Sequence, residues 1–111
     1  MEKVMLCIST SPPDLAGQLA RQLVEEALAA CVNVLPGARS VYRWKGEIEE
    51  EAESLLLLKT AENRVDALES RLRQLHPHDC PEFIVLTVDG GSEEYLTWVL
   101  ENSRSREEPR G

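Results

Sequence analysis

The stretch CVNVLPGARSVYRW-KG-EIEEEAESLLLLKT, residues 31–60, constrains the fold more than any other part of the chain. Its first arm is rich in β-branched and aromatic residues, with a Pro36-Gly37 break in the middle. Lys45-Gly46 supplies a turn, and the second arm ends in a run of four leucines that reads as a strand buried on both faces. The whole is a long β-hairpin. About fourteen residues per arm, at roughly 3.3 Å each, would span about 45 Å when extended. A domain of roughly 100 residues has a radius of gyration of only about 13 Å. The hairpin tip, with Val41, Tyr42, Trp44 and Ile48, must therefore overhang its own domain. A lone two-stranded ribbon is marginal in water, and its open edges and apolar side chains invite a second chain. An oligomer is expected from this feature alone.

The remaining elements arrange themselves around that hairpin. VMLCIST, residues 4–10, reads as a buried strand. A helix is expected over about 12–29, with Ser11 as N-cap, Pro12 in the first turn, and Leu15, Leu19, Leu23 and Ala27 at helical spacing. Val65, Leu68, Leu72 and Leu75 predict a second helix over 61–75, stopped by Pro77. PEFIVLTV, residues 81–88, predicts another strand, with Pro81 at its tolerated first position. Ser92 caps a last short helix whose Leu96, Val99 and Leu100 face inward. The order is βαββαβ with an appended helix, an α+β fold of the ferredoxin-like type in which two helices cover one face of an antiparallel sheet. One domain is expected over residues 1–102. Residues 103–111, SRSREEPRG, lack apolar side chains and are expected to form a disordered tail.

Charge and composition narrow the function. The 111 residues carry a formal net charge of −8, which opposes binding to nucleic acid, whose phosphates need a basic face. No run approaches the roughly 18 apolar residues of a membrane span. The N-terminus MEKVMLCIST has no signal-peptide layout, so a cytoplasmic protein is expected. Three cysteines, Cys7, Cys31 and Cys80, without a C-x-x-C pair, fit reduced thiols rather than a disulfide framework or structural zinc.

No phosphate-binding glycine loop, nucleophile elbow or H-E-x-x-H element is present, and a binding protein is expected rather than an enzyme. EIEEEAE, residues 47–53, holds five glutamates in seven positions. Glu47, Glu49, Glu51 and Glu53 share one strand face, either to hold a hard cation or to keep a strand edge from aggregating. Glu53 stands apart because it flanks the buried leucine run; Lys59 flanks the other end, with Glu82 a candidate partner for it. LHPHDCPEF, residues 75–83, brings His76, His78, Asp79, Cys80 and Glu82 into nine positions. Imidazole and thiolate together suit copper, zinc or a similar ion. The same segment also reads as a helix stop followed by a strand start, with His76 facing the helix dipole.

ACVNVLPGARSVYRWKGEIEEEAESLLLLKT, HPHDCPEF and YLTWV, in this order, resemble the motifs of the CutA divalent-cation-tolerance family over about residues 4–101. The resemblance implies a ferredoxin-like protomer in a tight homotrimer, with hairpins meeting across subunits, and tolerance of copper and other divalent cations. It implies Cys7 and His76 as metal ligands. The second histidine that some members carry is Leu75 here, while His78 and Cys80 are departures that offer substitute ligands. It places Trp44, Glu53, Lys59, Glu82, Tyr95 and Trp98 in a cleft at the subunit boundary. The fold it implies also resembles the trimeric PII signalling proteins. A PII-like module binding a small effector, with Lys59 as cationic contact, is the alternative function.

Overall fold

The computed structural model describes residues 2–105. Its elements follow the expected order: β1 (Val4–Ser11), α1 (Pro13–Glu25), β2 (Cys31–Trp44), β3 (Glu47–Ala61), α2 (Val65–Leu75), β4 (Ile84–Thr87) and α3 (Glu93–Asn102). A single turn of 3-10 helix, Glu62–Arg64, leads into α2. The four strands form one antiparallel sheet in the order β2-β3-β1-β4. This is the ferredoxin-like arrangement.

The core lies between one sheet face and α1 and α2. Strand alternation turns Cys7, Leu56 and Leu58 to that face, where they meet Ala16, Leu19 and Leu23 of α1 and Leu68 and Leu72 of α2. A second cluster, Val4, Ala30 and Val99 with Val88, Leu96 and Leu100, seats α3. Ser92 caps α3 by accepting a hydrogen bond from the Tyr95 backbone N–H at 3.3 Å, as its position predicts.

Several expectations need correction. Ser11 does not cap α1: it is the last residue of β1, and its hydroxyl donates to the Pro12 carbonyl at 3.0 Å. Helix α1 ends at Glu25, short of residue 29, because Ala27 turns left-handed at φ 56° and the N–H groups of Leu28 and Ala29 return to the Leu23 carbonyl. Strand β4 is only four residues long, as Pro81 delays its pairing with β1 until Ile84 meets Ile8. At the C-terminus the tail expected from residue 103 begins with a packed residue. Ser103 is fully buried; its hydroxyl donates to the Val99 carbonyl at 2.7 Å and accepts the Ala61 N–H at 3.1 Å. Residues 106–111 lie outside the described residues.

The hairpin dominates the shape. The protein measures 50 × 26 × 22 Å, and its long dimension requires an overhanging ribbon. Pro36-Gly37 does not break β2. It forms a bulge between Leu35, paired with Leu55, and Ala38, paired with Glu53. Three steps on β2 match two on β3, so one extra residue shifts the alternation. Before the bulge, Val32 and Val34 share a face with Leu58 and Leu56. Beyond it, Ser40, Tyr42 and Trp44 share a face with Glu51, Glu49 and Glu47. The bulge thus brings two aromatic rings onto the acidic face of the hairpin.

Candidate functional site

A groove of about 740 Å³ runs between that acidic face and the loop joining α2 to β4. Glu49, Glu51, Glu53, Tyr42 and Trp44 line one wall; Pro77, His78, Asp79, Cys80 and Glu82 line the other. The loop exists because His76 precedes a proline. Its backbone is extended at φ −81°, ψ 138°, and α2 stops there.

Two side-chain contacts clamp the loop to β1. The His76 Nε2–H donates to the Thr10 carbonyl at 2.8 Å, while Nδ1 accepts the backbone N–H of His78 at 3.1 Å. A carbonyl needs a donor and an N–H needs an acceptor, so these contacts select the neutral Nε2–H tautomer. At the other end, the Ser9 hydroxyl donates to the Glu82 carbonyl at 2.6 Å. Between the clamps, His78, Asp79 and Cys80 are exposed, and the His78 ring tilts against His76 with centroids 4.8 Å apart.

Glu53 is the unusual group of the opposite wall. As a residue it is only 6 % exposed, but its carboxylate oxygens reach the open groove: among the described residues no hydrogen bond or salt bridge engages them, and no buried side-chain oxygen is left without a partner. Its neighbours on the hairpin are better served. The Tyr42 hydroxyl donates to Glu51 at 2.7 Å, which together with nearby carboxylates pushes the Tyr42 phenol up to about 12. Arg39 lies 3.7 Å from Glu50 on the opposite side of the ribbon.

The structure divides the residues singled out from the sequence into three places. Trp44, Glu53, Glu82, His78 and Cys80 meet at the groove, and His76 clamps its loop. Cys7 is elsewhere: fully buried among the leucines of the core, its thiol is pushed up to about 11 by burial and by the negative charge of Glu69. Lys59, Tyr95 and Trp98 form a third group on the sheet face turned away from α1 and α2. There the Lys59 ammonium donates to Asn33 Oδ1 at 2.6 Å and lies 5.7 Å from the Tyr95 ring centre. Tyr95 in turn stacks on Trp98 at 5.6 Å. Glu82 is therefore not the partner of Lys59. The register puts Lys59 opposite Leu6, whereas Glu82 lies beyond the Ile84–Ile8 pair, beside Ser9.

Ser9, Thr10 and Asn33 carry these contacts without having drawn notice in the sequence. Only pairing across the sheet brings them to His76, Glu82 and Lys59. Among the described residues, no three His, Cys, Asp or Glu side chains already stand together as a metal site. Nor is any described helix long and apolar enough to cross a membrane.

A ferredoxin-like fold with an overhanging hairpin and an acidic groove is the architecture of the divalent-ion-tolerance class. Residues 4–102 match the family of the CutA1 divalent ion tolerance protein, and the chain belongs to that family. It is 46 % identical over 103 residues to the divalent-cation tolerance protein CutA of Thermus thermophilus, covering 93 % of this chain and 99 % of the relative. The crystal structure of CutA from Xylella fastidiosa superimposes with a TM-score of 0.89 at 47 % identity, over 92 % of this chain and 99 % of the other. A PII-like protein CutA from Nostoc, solved in its apo form, aligns with a TM-score of 0.85 at 37 % identity, over 94 % of this chain and 98 % of the other.

Proposed function

We propose that the chain works as a cytoplasmic homotrimer that takes up a divalent cation, copper foremost, in the acidic groove, and so serves metal tolerance by binding rather than by catalysis. The observation that carries this reading is Glu53. Its carboxylate opens onto the groove with no protein group bonded to it among the described residues, so it is free to meet a cation there. Glu49, Glu51, Asp79 and Glu82 around the same groove add to its attraction for positive charge. His78 and Cys80 add donors that favour a borderline metal over calcium or magnesium. The overhanging tip, with Val41 and Ile48 both 60 % exposed, supports assembly with further copies.

Titration calorimetry of the reduced protein tests the cation. One Cu(II) per protomer is expected, with a Kd of about 1 µM or tighter, an affinity equivalent to roughly 8 kcal/mol. Glu53→Gln should weaken it. Absence of heat and of bound copper after gel filtration would remove the metal reading.

A second reading rests on Lys59. Its ammonium has an amide and an aromatic ring for company, with no carboxylate paired to it among the described residues, and the Tyr95–Trp98 stack beside it is open to solvent. Such a group suits an anionic effector, as in a PII-like signalling module. A metabolite that raises Tm in the wild type and loses this effect in Lys59→Ala would favour this role.

A further inference from the structure

We propose that the Lys59 site takes a small basic amino acid of the arginine type, with its carboxylate on Lys59 and Asn33 and its guanidinium over the Trp98 ring between Glu94 and Glu101. This rests on the anionic-effector reading of Lys59 above and names the class of its ligand.

The site has a positive and a negative pole, joined by two stacked rings. Lys59 is the positive pole. Its cross-strand neighbours, Leu6 on β1 and Cys31 on β2, bring no carboxylate to it. Its ammonium donates to Asn33 Oδ1 at 2.6 Å, which leaves Asn33 Nδ2 as a second donor beside it. A single carboxylate fits those two donors. The Tyr95 ring centre lies 5.7 Å from the ammonium, and Tyr95 stacks on Trp98 with centres 5.6 Å apart and planes 23° from parallel.

Trp98 opens onto the negative pole. A hollow of about 580 Å³ on α3 is lined by Trp98 together with Glu93, Glu94, Thr97 and Glu101. Glu94 stands four residues before Trp98 and Glu101 three after it, so the three side chains share one face of the helix. The indole is 43 % exposed. An open indole flanked by carboxylates holds an organic cation by charge and by the ring quadrupole. Guanidinium suits it better than ammonium, because it is planar, stacks on rings and is more weakly hydrated. A ligand carrying negative charge alone would gain Lys59 but lose to the field of three glutamates two rings away. One carboxylate with a cation at the far end satisfies both poles, and the arginine side chain holds the two charges far enough apart to reach across the ring pair.

Titration calorimetry of the full-length protein compares three probes: L-arginine, agmatine, which lacks the carboxylate, and L-norvaline, which lacks the guanidinium. L-Arginine should bind once per protomer, and each truncated probe at least about tenfold more weakly, as the loss of a charged hydrogen bond implies. Agmatine carries more positive charge than arginine, so unspecific attraction to a chain of net charge −8 would rank it first instead. Lys59→Met should bring arginine down to the affinity of agmatine and leave agmatine unchanged. Trp98→Leu, and separately Glu94→Gln combined with Glu101→Gln, should bring arginine down to the affinity of norvaline. Lost folding would abolish all binding rather than give this crossed pattern, and should Trp98→Leu fail to fold, the double glutamine variant reads the same pole. Agmatine binding as tightly as arginine, or an arginine affinity untouched by Trp98→Leu, overturns the proposal. Norvaline binding as tightly as arginine overturns it too, while leaving the anionic-effector reading of Lys59 standing. If neither arginine nor norvaline binds, and benzoate raises Tm no more in the wild type than in Lys59→Met, both readings fall.

Discussion

At the residue scale, burial decides what each side chain is able to do. Cys7 loses all contact with water among leucines, so the fold opposes its ionisation and lifts its pKa to about 11 from an ordinary 9.0. The unfolded chain releases this proton first. The thiol's contribution is therefore complete below about pH 9 and disappears as pH rises through about 11. At roughly 1.4 kcal/mol per unit, this comes to about 3 kcal/mol. Thermal melts from pH 8 to 11 should show a steeper loss of Tm in the wild type than in Cys7→Val; parallel curves would contradict it. Ala27 has the opposite character. It adopts φ 56° to close the end of α1, and the Arg64 guanidinium holds its carbonyl at 3.2 Å. A Cβ in that conformation costs about 1 kcal/mol, so Ala27→Gly should raise Tm by several degrees. These environments also explain what the sequence conceals. His76 is a plausible ligand by type. Whether its nitrogens are free depends on Thr10, which lies 66 positions away and comes close only through the sheet. The isolation of Glu53 is partly legible, because the leucine run beside it announces burial.

At the scale of elements, legibility follows how local the cause is. The turn of the hairpin is written in two residues. Lys45 and Gly46 both have positive φ, 50° and 82°, which is the type I′ turn that suits the twist of paired strands. Lysine tolerates its position poorly, whereas asparagine is at home there. Lys45→Asn should raise the unfolding free energy by a few tenths of a kcal/mol to about 1 kcal/mol, and Gly46→Ala should lower it by a similar amount. Denaturant titrations of the two variants check the opposite signs. The bulge was legible only as a disturbance. Pro36-Gly37 marks an irregularity, but whether the strand ends or shifts by one residue depends on β3, which stays paired on both sides. That single residue decides which face Tyr42 and Trp44 occupy, and hence whether the groove has an aromatic wall. Helix ends were similarly hard to read. Ser11 has the right chemistry for a cap, yet pairing with Ser54 keeps it in β1.

For the whole molecule, the hairpin sets the question of assembly. The protein is 50 Å long in one direction and at most 26 Å in the others, so much of the ribbon is without a core of its own. Trp44 is 47 % exposed and Ile48 60 %, while Ile84, Val85 and Leu86 of the edge strand β4 are each between 39 % and 49 % exposed. Large apolar side chains concentrated on a ribbon and a sheet edge are poorly suited to a monomer in water. In the proposed trimer these surfaces meet across subunits. Each apolar side chain covered would then contribute about 1.5–3 kcal/mol. Light scattering should accordingly give three times the protomer mass of 12.5 kDa, and Tm should rise with protein concentration, since association favours the folded state by mass action. Ile48→Ser combined with Leu86→Ser, both outside the groove, should shift the mass toward one protomer and remove the concentration dependence, while the circular dichroism of the protomer is retained. The ligand proposals separate from assembly in the same samples. If copper still binds to the dissociated variant with wild-type affinity, the groove is complete within one chain. If binding falls in step with the mass, a second copy contributes to it.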